Sequence, residues 1–101
     1  MKPNRNDSDA YKKRTEDALF SAVASLADIH ESRNFLKDLC TPAELQALVD
    51  RWQVVELLQK ELPYRRINEL TGVSVTTIGR VARSLTDGFG GYQAALDRCD
   101  T

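Results

Sequence analysis

Covalent chemistry has little to work with in this sequence. Its 101 residues include one histidine and two cysteines, and no His, Cys, Asp and Glu set falls at metal-ligand spacing. Cys40 and Cys99 have neither the spacing of a metal site nor the density of a disulfide scaffold, so both read as free thiols. His30 has no nucleophile or carboxylate constellation around it, no glycine-rich loop follows a strand-like run, and neither an enzyme nor a metal or organic cofactor is expected. Three prolines and five glycines are too few for a turn-rich β-sandwich. No apolar run approaches a bilayer span or a signal-peptide core, so no membrane partner is expected and a cytoplasmic location is the default.

What remains is rich in Leu, Ala, Glu, Arg and Lys, a composition for helices. The pattern predicts an all-α chain of about six helices: a polar, mobile tail over residues 1–8, then a single domain over 9–101. The first helix is expected from near Asp9 to near Ile29, carrying Leu19, Phe20, Val23, Leu26, Ala27 and Ile29, with a break near His30 to Ser32. A short second helix then places Phe35, Leu36 and Leu39 on one face. Thr41-Pro42-Ala43-Glu44 is a capping box with proline at the first helical position, and it opens a long helix to about Glu61. Leu45, Leu48, Val49, Trp52, Val54, Val55, Leu57, Leu58 and Leu62 cover more than one stripe of that helix. Either this helix and the first bury surface against a second copy of the chain, or the long helix is a central core element packed within one chain. A last short helix is expected to turn Tyr92, Ala95, Leu96 and Cys99 inward.

The net charge of −1 is unevenly distributed: residues 64–85 carry four basic groups and one acidic, residues 28–61 four basic and seven acidic. The cationic surplus coincides with the run RRINELTGVSVTTIGRVARSL, Arg65 to Leu85. Pro63 starts a short helix from Tyr64 to about Thr71, Gly72 supplies a sharp turn, Val73 plugs the corner, and Ser74 caps a helix from Val75 to about Leu85. Ile67, Leu70, Val73, Ile78, Val81 and Leu85 form an inner face. Outside remain Thr76, Thr77, Gly79, Arg80 and Arg83, with Ser74 and Val75 at the leading edge and Arg65 and Arg66 at the head of the preceding helix. That arrangement is what a helix-turn-helix over 64–85 needs to read double-stranded DNA: hydroxyls, methyls and guanidinium forks for base edges, further arginines for phosphates, and a glycine permitting close approach. A structural helix pair with solvated arginines fits the same residues. Asn68 stands where many such motifs have a small alanine.

The run TPAELQALVDRWQVVELLQKELPYRRINELTGVSVTTIGRVARSL resembles the tryptophan repressor family, and within it the YerC/YecD branch. The match is good over Thr41 to Leu85 and looser over the flanking helices; its most specific parts are LTGVSVTTIGR and TPAE. The tryptophan repressor is itself a named example of helix-turn-helix docking, so that geometry comes with the resemblance. The resemblance implies an intertwined homodimer that presents two reading helices to successive major grooves about 34 Å apart. It further implies a sequence-specific transcriptional regulator, with a repressor as its usual form, in which Arg65 matches a DNA-touching arginine and Thr76, Thr77 and Arg80 lie on the reading helix.

The family's namesake binds tryptophan between two arginines, near a serine of the reading helix and a threonine of the partner chain. By position Arg80, Ser84 and Thr41 match three of these, and Arg51 is matched to the second arginine across a helix one residue shorter. Val81, however, occupies a glycine position that leaves room beside the ligand. Forcing methyls into a fitted pocket costs about 1–3 kcal/mol, one to two decades of affinity, which disfavours L-tryptophan as co-repressor. On the competing view Val81 is core and Arg51 pairs with a carboxylate near Asp50 or Glu56. A protein-interaction module that keeps the helix-turn-helix shape without reading DNA is the alternative function.

Overall fold

The computed structural model describes residues 8–99, and these contain six helices and no strand. They are α1 (Asp9–Ala24), α2 (Ile29–Leu39), α3 (Pro42–Gln59), α4 (Tyr64–Thr71), α5 (Val75–Asp87) and α6 (Gly91–Cys99). The expected tail lies outside the described residues except for Ser8, whose Oγ caps α1 by accepting the Tyr11 N–H at 3.3 Å. The helices fall into two compact units, α1 with α2 and α3 through α6.

In the first unit the break comes earlier than the periodicity suggests. Ser25 ends α1 by turning its hydroxyl back onto the Ala22 carbonyl at 2.6 Å. Asp28 then starts α2: its carboxylate accepts the Glu31 N–H at 2.9 Å, while Glu31 accepts the Ala27 N–H at 2.8 Å. Asp28 thus satisfies a first-turn donor while Glu31 holds the N–H of Ala27 just before the helix, so Ile29 and His30 belong to α2 instead of to α1 and a loop. His30 is exposed. Neither α1 nor α2 contains a buried residue, and Leu19, Phe20 and Val23 stay 39%, 59% and 46% exposed.

In the second unit the capping box of α3 is formed as expected. The Glu44 N–H donates to Thr41 Oγ1 at 3.2 Å and the Thr41 N–H to Glu44 Oε1 at 2.8 Å. The Thr41 backbone N–H, and after it the Thr41 hydroxyl, hold the Glu44 carboxyl below its ordinary value. At its far end α3 closes with Glu61 in the left-handed region, φ 62°. The Glu61 N–H reaches the Leu58 carbonyl and the Leu62 N–H that of Leu57, a Schellman closure made without the usual glycine.

The wide apolar surface of α3 divides along its length. Val54 and Val55 are fully buried and Trp52 packs its ring 6.4 Å from that of Tyr92 in α6, whereas Leu48 and Val49 remain exposed. With Ile67, Val73, Ile78, Val81 and Leu96, the two valines form the core, against which Leu57, Leu58, Leu62 and Leu85 pack. In α6 Tyr92 and Ala95 are half-buried, but Cys99, in the last turn of the helix, is exposed.

Candidate nucleic-acid interface

The geometry between α4 and α5 is fixed by a polar staple that propensities alone do not reveal. Gly72 sits at φ 75° and donates its N–H to the Asn68 carbonyl at 2.8 Å. Asn68 Nδ2 donates to the Val73 carbonyl at 2.8 Å. Thr71 Oγ1 donates to the Ile67 carbonyl at 2.7 Å and accepts the Val73 N–H at 3.0 Å. The Gly72 and Val73 N–H groups and the Val73 carbonyl at the corner thereby find partners. Ser74 caps α5, accepting the Thr77 N–H at 3.2 Å and donating its hydroxyl to Thr77 Oγ1 at 3.0 Å.

Of the expected inner face, Ile67, Val73, Ile78 and Val81 are buried and Leu85 is half-buried. Leu70 is the departure, 49% exposed. Helix α4 has only two turns, and its sheltered side is occupied by Ile67, Asn68 and Thr71, which leaves Leu70 to solvent.

Of the expected outer residues, Arg65, Arg66, Ser74, Val75, Thr76, Arg80 and Arg83 are exposed, and Thr77 and Gly79 are half-buried. The Thr77 hydroxyl is engaged by the cap. At Gly79 a Cβ would lie 3.6 Å from Arg83 Nη1 and 3.9 Å from Tyr64 Cε2, at ordinary van der Waals distance from both. Arg66 meets Glu69 at 3.4 Å, a half-exposed pair of little energetic weight that still offsets part of the arginine's charge. Among the described residues Arg65, Arg80 and Arg83 have no carboxylate partner.

Beside this surface lies a polar cavity of about 390 Å³ lined by Arg51, Thr77, Arg80, Val81, Ser84 and Tyr92. It brings together Arg51, Arg80 and Ser84. Thr41 is not part of its lining; it stands exposed at the head of α3. Arg51 forms no ion pair with Asp50 or Glu56; Asp50 instead accepts Gln46 Nε2 at 2.8 Å. Val81, 2% exposed, is at once core and cavity wall. No group of three metal-ligating side chains occurs among the described residues, and no helix of theirs is long and apolar enough to cross a membrane.

The family profile described as Trp repressor protein matches residues 14–100. The chain belongs to the Trp repressor family. Over 90 residues it is 40% identical to the uncharacterized protein YerC of Bacillus subtilis (strain 168), covering 89% of this chain and 86% of that one. The Trp operon repressor homolog of Vibrio cholerae (serotype O1, El Tor Inaba N16961) is 44% identical over 59 residues, 57% of each chain. A solved TrpR-like protein from Eubacterium eligens ATCC 27750 superposes with a TM-score of 0.82 at 36% identity, covering 93% of this chain and 97% of that one. Membership in the Trp repressor family supports a DNA-binding regulator at family level, and the family is one of regulators, not of enzymes. Residues 14–100 take in the polar staple, the arginine surface and the cavity alike. Sequence reasoning missed Asn68 and Thr71 as corner-closing residues and Tyr64 as a neighbour of Gly79. For Asn68 the signal was present, since an amide four residues before the turn glycine can close the corner.

Proposed function

We propose that the chain is a dimeric, sequence-specific, DNA-binding transcriptional repressor that acts in the cytoplasm and seats α5 in the major groove. The observation that carries this reading is the set of unpaired guanidiniums of Arg65, Arg80 and Arg83 on the exposed side of a helix pair whose opposite side holds Ile78 and Val81 in the core. Thr76 and Arg80 meet base edges, Val75 offers methyls to thymine, and Arg65, Arg66 and Arg83 take phosphates. Ser74 and Thr77 fix the angle of the helix, and Gly79 lies where α5 faces the groove. The exposed apolar residues of α1 and the exposed Leu48 and Val49 of α3 support burial against a second copy. Two reading helices then address half-sites one helical turn apart. Tryptophan is not the effector on this reading, because Val81 fills the wall of the arginine cavity with core methyls.

Selection from a random duplex pool tests the proposal. The expected outcome is an enriched motif with two-fold symmetry and half-site centres about 10–10.5 base pairs apart. Replacing Arg65 with alanine should weaken binding and flatten its salt dependence, by about 0.9 in the log–log slope for each phosphate that the variant leaves unneutralised, whereas replacing Arg80 should weaken binding and relax the base preference. A pool without an enriched two-fold motif, with both variants behaving as wild type, would instead favour a protein-interaction module.

A further inference from the structure

Tyr64 opens α4 directly after Pro63, and its side chain is 41% exposed instead of joining the core. Its ring nevertheless has a defined neighbour, since Cε2 lies 3.9 Å from where a Cβ of Gly79 would stand. Cε2 adjoins the hydroxyl-bearing ring carbon. It is therefore the phenol end of the side chain that reaches across to the outer side of α5. Arg83 Nη1 lies 3.6 Å from the same point. A phenol and a guanidinium thus both border the position that Gly79 leaves without a side chain, each at ordinary van der Waals distance from it. Among the described residues the Tyr64 hydroxyl makes no hydrogen bond and Arg83 makes no ion pair.

A neutral hydroxyl donor and an unpaired cation converging on one exposed point match a phosphate oxygen: one charge-assisted hydrogen bond and one counter-charge. A base edge fits less well, because Tyr64 belongs to the flanking helix and not to α5. The head of α4 adds to the same flank. Pro63 supplies no side-chain cap, so the first-turn N–H groups carry the positive end of the helix outward.

We propose that Tyr64 and Arg83 together grip a single DNA phosphate beside Gly79, at the edge of the groove that α5 occupies. This inference rests on the DNA-binding reading above.

Tyr64→Phe keeps the ring against Gly79 and removes only the donor. It is expected to melt like wild type and to bind the selected duplex roughly a hundredfold more weakly as the dimer, tenfold for each of the two hydrogen bonds to a charged group that are lost. Its salt slope should not change, because no charge is lost, whereas Arg83→Ala should lower both affinity and slope. A neutral methylphosphonate is then walked along the site. At one phosphate per half-site it should weaken wild type while leaving Tyr64→Phe and Arg83→Ala largely insensitive. Wild-type affinity in Tyr64→Phe, or insensitivity of the two variants at different phosphates, overturns the inference while leaving the DNA reading intact. Failure of wild type to bind any duplex overturns that reading instead.

Discussion

Replacing Asn68 with alanine sets two effects against each other. Alanine is the better helix former by about 0.6 kcal/mol, and many helix-turn-helix motifs have a small residue at this point, so propensity favours the change. Against it stands the 2.8 Å bond from Asn68 Nδ2 to the Val73 carbonyl, in a half-buried corner where Thr71 is already committed to the Ile67 carbonyl and the Val73 N–H. Losing that bond costs about 1 kcal/mol, and leaving the carbonyl poorly solvated raises the loss to about 1.5–2 kcal/mol. The staple therefore wins, with a net destabilisation of about 1 kcal/mol. For a chain of this size that corresponds to a fall in Tm of about 4–8 °C. Asn68→Asp removes the donor without the propensity gain and turns a carboxylate toward the carbonyl, so it should lose about 2 kcal/mol. Thermal melts at one fixed protein concentration are the measurement, because dimerisation would make Tm concentration-dependent. If the alanine variant melts at or above the wild-type temperature, the corner is not held in the way argued.

Glu61→Gly should stabilise the protein by about 0.5–1 kcal/mol in denaturant titration. A non-glycine residue at φ 62° costs about 1–2 kcal/mol, of which the greater backbone freedom of unfolded glycine offsets part; an unchanged or lower midpoint would contradict it. Because its hydrogen bonds to Thr41 lower the folded-state pKa of Glu44, that group contributes stability that is present above the ordinary carboxylate value and lost as pH falls through the folded one. Glu44→Gln accepts the same N–H without titrating, so the Tm advantage of wild type over this variant should narrow on acidification; a gap independent of pH would contradict the assignment. Calorimetry with L-tryptophan should give no saturable heat at micromolar concentrations, and binding in that range would mean that Val81 yields.

What the sequence disclosed and what it withheld divide along physical lines. Caps that act within four residues were open to inspection: Thr41 with Glu44, Ser74 before α5, and Gly72 at the turn all appear where their chemistry places them. The equivalent signal at Asp28 and Glu31 was passed over because apolar spacing continued through it, and a two-way cap outweighs one more periodic residue. Leu70 shows the opposite failure. Its spacing matches an inner position, but the corner needs the sheltered side of α4 for Asn68 and Thr71, and polar closure takes precedence over one leucine. The convergence of Tyr64 and Arg83 on Gly79 could not be read from either helix alone, since it depends on how α4 and α5 cross.

The same local accounting explains how a chain of net charge −1 can be a DNA reader at all. At physiological ionic strength exposed charges are screened beyond about 8 Å, so distant acidic groups do little to the field at the arginine surface. The acid within the helix-turn-helix, Glu69, is already matched by Arg66 at 3.4 Å, which leaves Arg65, Arg80 and Arg83 as the surplus. Even with all three on phosphates and none on a base, one copy would have a salt slope of only about −3. Two copies joined by a two-fold axis double the neutralised charge and add a geometric condition, because both α5 helices must meet base edges in register. On this reading the apolar surface left open on α1 and α3 is what turns a weakly cationic helix pair into a selective one. A strongly basic chain could hold DNA as a monomer, whereas this one depends on symmetry.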